Sequence, residues 1–198
     1  MQNQKIEDIL PLTPLQQGFL FHALYDTQVQ DSYVVQMAFE LTGSLNTAAL
    51  RAATQGLLQR HASLRAAFAH RQVKEPVQLI MNAVDLPWQD VDLRDTPDAE
   101  REAAYEHLRS EDQQQRFDMS KAPLLRFTLV RLGEHHYRLI FTHHHILLDG
   151  WSMPIFLQEL FALYRGEQLP RVAAYKDYLR WLSTRDRQAA QAAWKRVF

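Results

Sequence analysis

The residues of this sequence best suited to chemistry lie in FTHHHILLDGWS, positions 141–152, where three consecutive histidines precede an aspartate and a glycine. Histidine titrates nearest neutral pH, so an imidazole held at a strand end can take a proton from an amine or hydroxyl attacking an activated carbonyl. Strand side chains alternate between faces, which turns His143 and His145 one way and His144 the other. His145 is the candidate for the proton-handling role, and His144 is read as packing behind it. Asp149 follows in a tight turn, where it could fix the loop by pairing with a distant arginine. Arg65 is the first choice for that partner and Arg60 the second, since carboxylate and guanidinium form directional paired hydrogen bonds. Gly150 has no side chain, so its N–H can approach a substrate closely, as an oxyanion or thioester contact requires.

The same spacing admits plainer readings. Adjacent histidines also occur as core and surface residues without chemistry, Asp149 and Gly150 also make an ordinary turn, and Ser152 also reads as a helix N-cap. A metal site is the weakest reading, because consecutive strand histidines diverge and His135 with His136 sit at the far end of the same strand.

The elements that must position this stretch are legible from periodicity. Thr13 to Leu24 predicts a short amphipathic helix capped by Thr13, with Pro14 at its first position and Leu15, Phe19 and Leu20 on one stripe. Ser32 to Thr42 alternates as a strand ended by Gly43, and Asn46 caps a helix running to about Arg60. Leu64 to Ala69 and Val77 to Met81 read as short strands. The polar stretch from Asp90 to Gln115 predicts a solvated helix beginning near Pro97. Leu124 to Leu132 and Tyr137 to His143 form a hairpin about Gly133 and Glu134, and the second strand feeds the histidines, ending near Ile146. A helix from about Met153 to Tyr164 stops at Gly166, and a last helical stretch runs on from about Ala173. Strands and helices mix without strict alternation, so the expected class is α/β or α+β, a mixed sheet flanked by helices rather than a doubly wound parallel sheet.

Composition narrows the function classes. The 198 residues are 46% hydrophobic and 23% charged with a formal net charge of -1, normal for one domain or one large lobe. Acidic and basic residues interleave, which argues against nucleic acid. The absence of cysteine excludes disulfides, thiolate metal sites and cysteine nucleophiles. MQNQKIEDILPL lacks the apolar core of a secretory signal, and no apolar run is long enough to span a bilayer, so the expected location is cytoplasmic, with no membrane partner.

HHILLDG at 144–150 resembles the HHxxxDG signature of nonribosomal peptide synthetase condensation domains, within a superfamily related to chloramphenicol acetyltransferase. ILPLTPLQQGFLFHALYD from Ile9, RHASLRAAF from Arg60 and YKDYLRW from Tyr175 resemble the family's opening, second and fourth motifs, in family order and over essentially the whole chain. The wording of the opening and histidine motifs is closest to the subclass accepting donors that end in a D-residue. An epimerization domain reads differently after the histidines, and His22 alone does not supply the additional motif of a dual-function domain.

The resemblance implies a chloramphenicol-acetyltransferase-like lobe over 1–170, with 171–198 leading toward a second lobe that completes a V-shaped domain. It implies amide-bond formation between a donor thioester and the α-amine of an acceptor thioester. Both substrates arrive on phosphopantetheine arms of partner carrier domains, and no cofactor is bound directly. His145, His144, Asp149, Gly150 and Arg65 are the site residues so implied, and the 198-residue piece alone is expected to be inactive. An acyltransferase using soluble acyl-CoA and a noncatalytic carrier-docking module are the alternatives.

Overall fold

The computed structural model describes residues 5–25 and 30–196. Two sheets carry the chain. The larger has the order β2 (Val34–Thr42), β7 (His136–His144), β6 (Leu125–Gly133) and β5 (Trp88–Asp92), antiparallel except where β5 runs parallel to β6. The smaller is antiparallel, with β1 (Ile6–Pro11), β4 (Val77–Met81) and β3 (Ala66–Ala69) in that order. One face of the large sheet buries Phe127, Leu139 and Phe141 against α2 (Thr47–Arg60) and α4 (Ser152–Tyr164), which form the main core. Its other face packs Val130 and Ile140 against Tyr105 of α3 (Asp98–Gln114). The small sheet packs Phe68 and Ile80 against Leu20 and Ala23 of α1 (Pro14–Tyr25).

Local chemistry explains the element ends that matter to the site. Thr13 and Gln16 form a reciprocal cap, the Gln16 N–H donating to Thr13 Oγ1 at 3.1 Å and the Thr13 N–H to Gln16 Oε1 at 3.0 Å. The buried Gln16 amide also meets Gln78 and the Ile146 carbonyl. This turns α1 away from the expected stripe, so Gln16, Leu20 and Ala23 face inward and Leu15 is 66% exposed. Asn46 caps α2 as expected, its Oδ1 accepting the Ala49 N–H.

The strand expected from Leu64 starts at Ala66, after a 3-10 turn over Ala62–Arg65. The turn forms because the Arg65 guanidinium folds back onto the carbonyls of Leu58 and Gln59, at the C-terminal end of α2. β5, which runs into the polar stretch that begins at Asp90, was not expected, since an edge strand with acidic residues lacks the alternation that marks a half-buried one. The final helical stretch is two helices, α5 (Tyr175–Ser183) and α6 (Arg187–Trp194), the second capped by Asp186.

The helix expected to be merely solvated holds a buried polar hub. Asp112 accepts hydrogen bonds from Gln36 Nε2 at 2.8 Å, from Arg126 Nε at 2.6 Å and from the Thr142 hydroxyl, tying α3 to β2, β6 and β7 just before the histidines.

Candidate functional site

The three histidines occupy three different environments because β7 ends at His144. His143, the last strand residue but one, is sealed in the main core with its ring centroid 5.0 Å from that of Phe141. Its Nδ1 meets the His144 carbonyl at 3.3 Å, and its Nε2 has no hydrogen-bond partner among the described residues. Burial pushes its pKa from the ordinary 6.5 down to about 4. Below pH 6.5 the unfolded chain binds a proton on this ring that the folded chain refuses, so the stability it contributes is full above 6.5 and is lost as pH falls toward 4. About 2 kcal/mol is expected to go between pH 6.5 and 5. Thermal melts at pH 7 and pH 5 should show the difference, and His143→Leu should remove that share of it. A variant melting with the wild-type pH dependence would show that the ring is not its source.

His144 is fully buried on the opposite side, toward the segment that leads into β2. Its Nδ1 accepts the Ile146 N–H at 3.0 Å, which places the proton of the neutral ring on Nε2. Asp31 Oδ2 stands 3.4 Å from that Nε2, facing it but too loosely for a formed hydrogen bond. Burial lowers the His144 pKa against the opposing pull of Asp31.

His145 follows the strand and is half-buried. Its main-chain N–H donates to the Tyr33 carbonyl at 2.8 Å. Its Nδ1 lies 2.7 Å from the Leu148 carbonyl, which can only accept, so Nδ1 carries the hydrogen and Nε2 keeps the lone pair. Phe19 of α1 stacks on the ring at 5.2 Å. The histidine lines a cavity of about 710 Å³ whose walls come from α1, the 3-10 turn, the 145–149 turn, α4 and α5. Two adjacent imidazoles are thus held by main-chain groups in opposite tautomers, one facing the interior and one the cavity.

The pairing expected of Asp149 with Arg65 does not form. Asp149 is exposed, and its Oδ1 accepts the Ser152 N–H at 2.9 Å and the Ser152 hydroxyl at 2.7 Å, closing the turn ahead of α4. These bonds hold its carboxyl below the usual range. Arg65 is buried and fully engaged elsewhere, donating to the Leu58, Gln59 and Met81 carbonyls and to Glu7. Arg60, the second choice, grips Glu159 with two nitrogens and reaches the Pro170 carbonyl. Both arginines are spent on joining elements, so neither reaches the turn. Glu159 also meets His61 Nε2 at 2.5 Å, and His61 lines the cavity. Ser152 is the first residue of α4 rather than its cap. Gly150 is exposed with open space around it.

The last helical stretch was read from the sequence without a role in the site, whereas Tyr175 and Tyr178 of α5 both line the cavity. It also missed Phe19 as the ring stacked on His145, and it missed Asp31 altogether. No group of three histidine, aspartate or glutamate side chains among the described residues is placed to hold a metal ion. No described helix is long and apolar enough to cross a membrane.

The model of the family described as Condensation domain matches residues 6–198. The chain is 37% identical over 197 residues to bacitracin synthase 1 of Bacillus licheniformis, covering 96% of the chain and 4% of that protein. It is 32% identical over 197 residues to tyrocidine synthase 2 of Brevibacillus parabrevis, covering 96% of the chain and 6% of that protein. The chain therefore spans a small fraction of these curated relatives. Among solved structures, the EpoB NRPS cyclization-docking bidomain from Sorangium cellulosum superposes with a TM-score of 0.83 at 25% identity, over 99% of this chain and 41% of that one.

Proposed function

The chain belongs to the condensation-domain family, and from that premise we propose that it supplies one wall of a reaction centre for amide-bond formation in nonribosomal peptide synthesis. In this reading the α-amine of an acceptor aminoacyl thioester attacks the carbonyl of a donor thioester, both tethered through phosphopantetheine to partner carrier domains. The bond formed is C–N, the bond broken is the donor C–S, and the leaving thiol takes up the proton lost by the amine. The observation that carries the proposal is His145. Its Nδ1 is committed to the Leu148 carbonyl, which leaves Nε2 as the acceptor nitrogen of a ring that lines the cavity.

The surroundings support a second lobe completing the site. Leu15, Ile155 and Tyr178 line the cavity and are each about half exposed or more. Trp151, beside Gly150, is 87% exposed. A rim this apolar is the mark of a surface built to be covered. Among the described residues the cavity wall presents no cluster of arginine or lysine for the phosphates of free coenzyme A, which favours carrier delivery over the acyl-CoA alternative.

Reconstitution with separately loaded donor and acceptor carriers tests the reading. Peptide-bond formation is expected from the chain within a two-lobed polypeptide and not from the 198 residues alone. Turnover with free acyl-CoA and no carrier would support the acyltransferase instead, and carrier binding without chemistry in any two-lobed context would support a docking module. Running donors of both configurations would also test the D-residue preference.

A further inference from the structure

Asp31 is an aspartate buried to 6% exposure, at the start of the turn that leads into β2 and directly behind the histidines. Its two carboxylate oxygens are divided between the two histidine supports. Oδ1 accepts the Tyr33 N–H at 3.0 Å and its main-chain carbonyl accepts the Val34 N–H at 3.1 Å, closing a turn over residues 31–34. That turn aims the Tyr33 carbonyl at the His145 N–H. The Tyr33 ring packs edge-on against Phe19 at 4.7 Å, and Phe19 is the ring stacked on His145. Oδ2 faces His144 Nε2 at 3.4 Å and the Arg116 guanidinium at 3.7 Å, while Arg116 also donates to the Ala23 carbonyl in α1.

A buried carboxylate is costly unless a nearby charge and hydrogen bonds compensate it, and both are present here. What the arrangement secures is geometry. The His144 ring is wedged between Asp31 Oδ2 and the Ile146 N–H, so it braces the residue that follows His145 in the turn running on to Leu148. The His145 main chain is meanwhile held by the strand-entry turn that Asp31 closes.

We infer that Asp31 is a positioning residue for His145, acting through the Tyr33 carbonyl on one side and the His144 imidazole on the other. The inference rests on the condensation reading for its rate effect, and on the structure alone for its effect on the rings.

Asp31→Asn is the informative variant, because the Asn oxygen can keep the Tyr33 N–H and thus the turn, while its amide sets a donor against the His144 Nε2–H. Nitrogen-15 spectra of the full chain report both tautomers. The wild type is expected to carry hydrogen on Nε2 of His144 and on Nδ1 of His145, and the variant to lose the His144 pattern while melting as a folded protein. In a two-lobed polypeptide, kcat for condensation is expected to fall about tenfold to a hundredfold with KM for the carriers unchanged, the scale of a small displacement of a catalytic group. Unaltered His144 signals, an unaltered kcat, or a loss confined to KM would each overturn the inference. A wild-type two-lobed protein that forms no amide bond would instead sink the condensation reading, and the ring spectra would still decide whether Asp31 sets the two imidazoles.

Discussion

His145→Ala, made in a polypeptide that carries both lobes, is expected to lower the rate of amide-bond formation on the order of a hundredfold, at the lower end of what positioned acid–base groups contribute. The modest figure follows from the substrates. A thioester is already activated, and a free α-amine has a pKa of about 8, so a useful fraction is neutral near pH 7 without help. Holding two tethered reactants in one cavity can account for about 7–11 kcal/mol of the barrier in favourable cases, none of which the imidazole supplies. In the proposed reaction, what remains for the ring is to accept a hydrogen bond from the attacking amine or to take its proton as the tetrahedral intermediate forms. His145→Gln divides those duties, since its side-chain oxygen can orient an amine but cannot accept its proton at neutral pH. Activity of the glutamine variant near wild type would assign the ring to positioning, and activity as low as that of alanine would assign it to proton transfer. Loss of carrier binding in the alanine variant, or no loss of rate, would remove His145 from the reaction. The ring stacks on Phe19 and is half-buried, so its truncation leaves the main core untouched.

The contrast between His145 and its neighbours shows how much of the site the sequence could carry. Strand alternation anticipates that His144 and His145 meet different surroundings, one being the buried last residue of β7 and the other the cavity-lining residue directly after it. The caps at Thr13 and Asn46 were legible for a similar reason, each being a local bond between residues three apart. The partner of Asp149 was not. Local donors compete with a distant guanidinium for the carboxylate, and the Ser152 N–H and hydroxyl, three residues away, reach it at little cost in chain closure. The Arg65 guanidinium is for its part captured by carbonyls left open at the end of α2. Asp31 and the place of the α5 tyrosines in the cavity wall escaped notice because they depend on contacts between segments far apart in the chain, with His144 and with the cavity that His145 lines. No periodicity or spacing encodes such a contact.

The core beneath the strand end yields the other large effect. Phe141 sits two residues before His143 on β7, fully buried, with its ring parallel to Phe127 at 4.5 Å and to Phe156 of α4 at 4.8 Å. Phe127 belongs to β6 and Phe156 also lines the cavity, so the stack runs from the sheet through the helix to the wall of the site. Phe141→Ala is expected to cost about 3–5 kcal/mol, since the neighbouring rings are fixed by β6 and α4 and can collapse into the void only in part. For a domain of this size, where each kcal/mol shifts the midpoint about 2–4 °C, the melting temperature should fall by about 6–20 °C. Phe141→Leu restores most of the volume without the flat face, so its smaller loss measures how much of the effect belongs to ring stacking, about 0.5–1.5 kcal/mol per pair. Denaturant melts of both variants provide the measurement, and an alanine variant within about 1 kcal/mol of wild type would show that this core closes over the gap. The sheet is also what presents His145, because the strand that carries Phe141 ends one residue before it. Phe141→Ala should therefore weaken the hold on the turn that carries His145 while the Leu148 and Tyr33 contacts of His145 remain available. Condensation by the two-lobed form is expected to fail at a lower temperature than wild type, with its rate well below that temperature little changed.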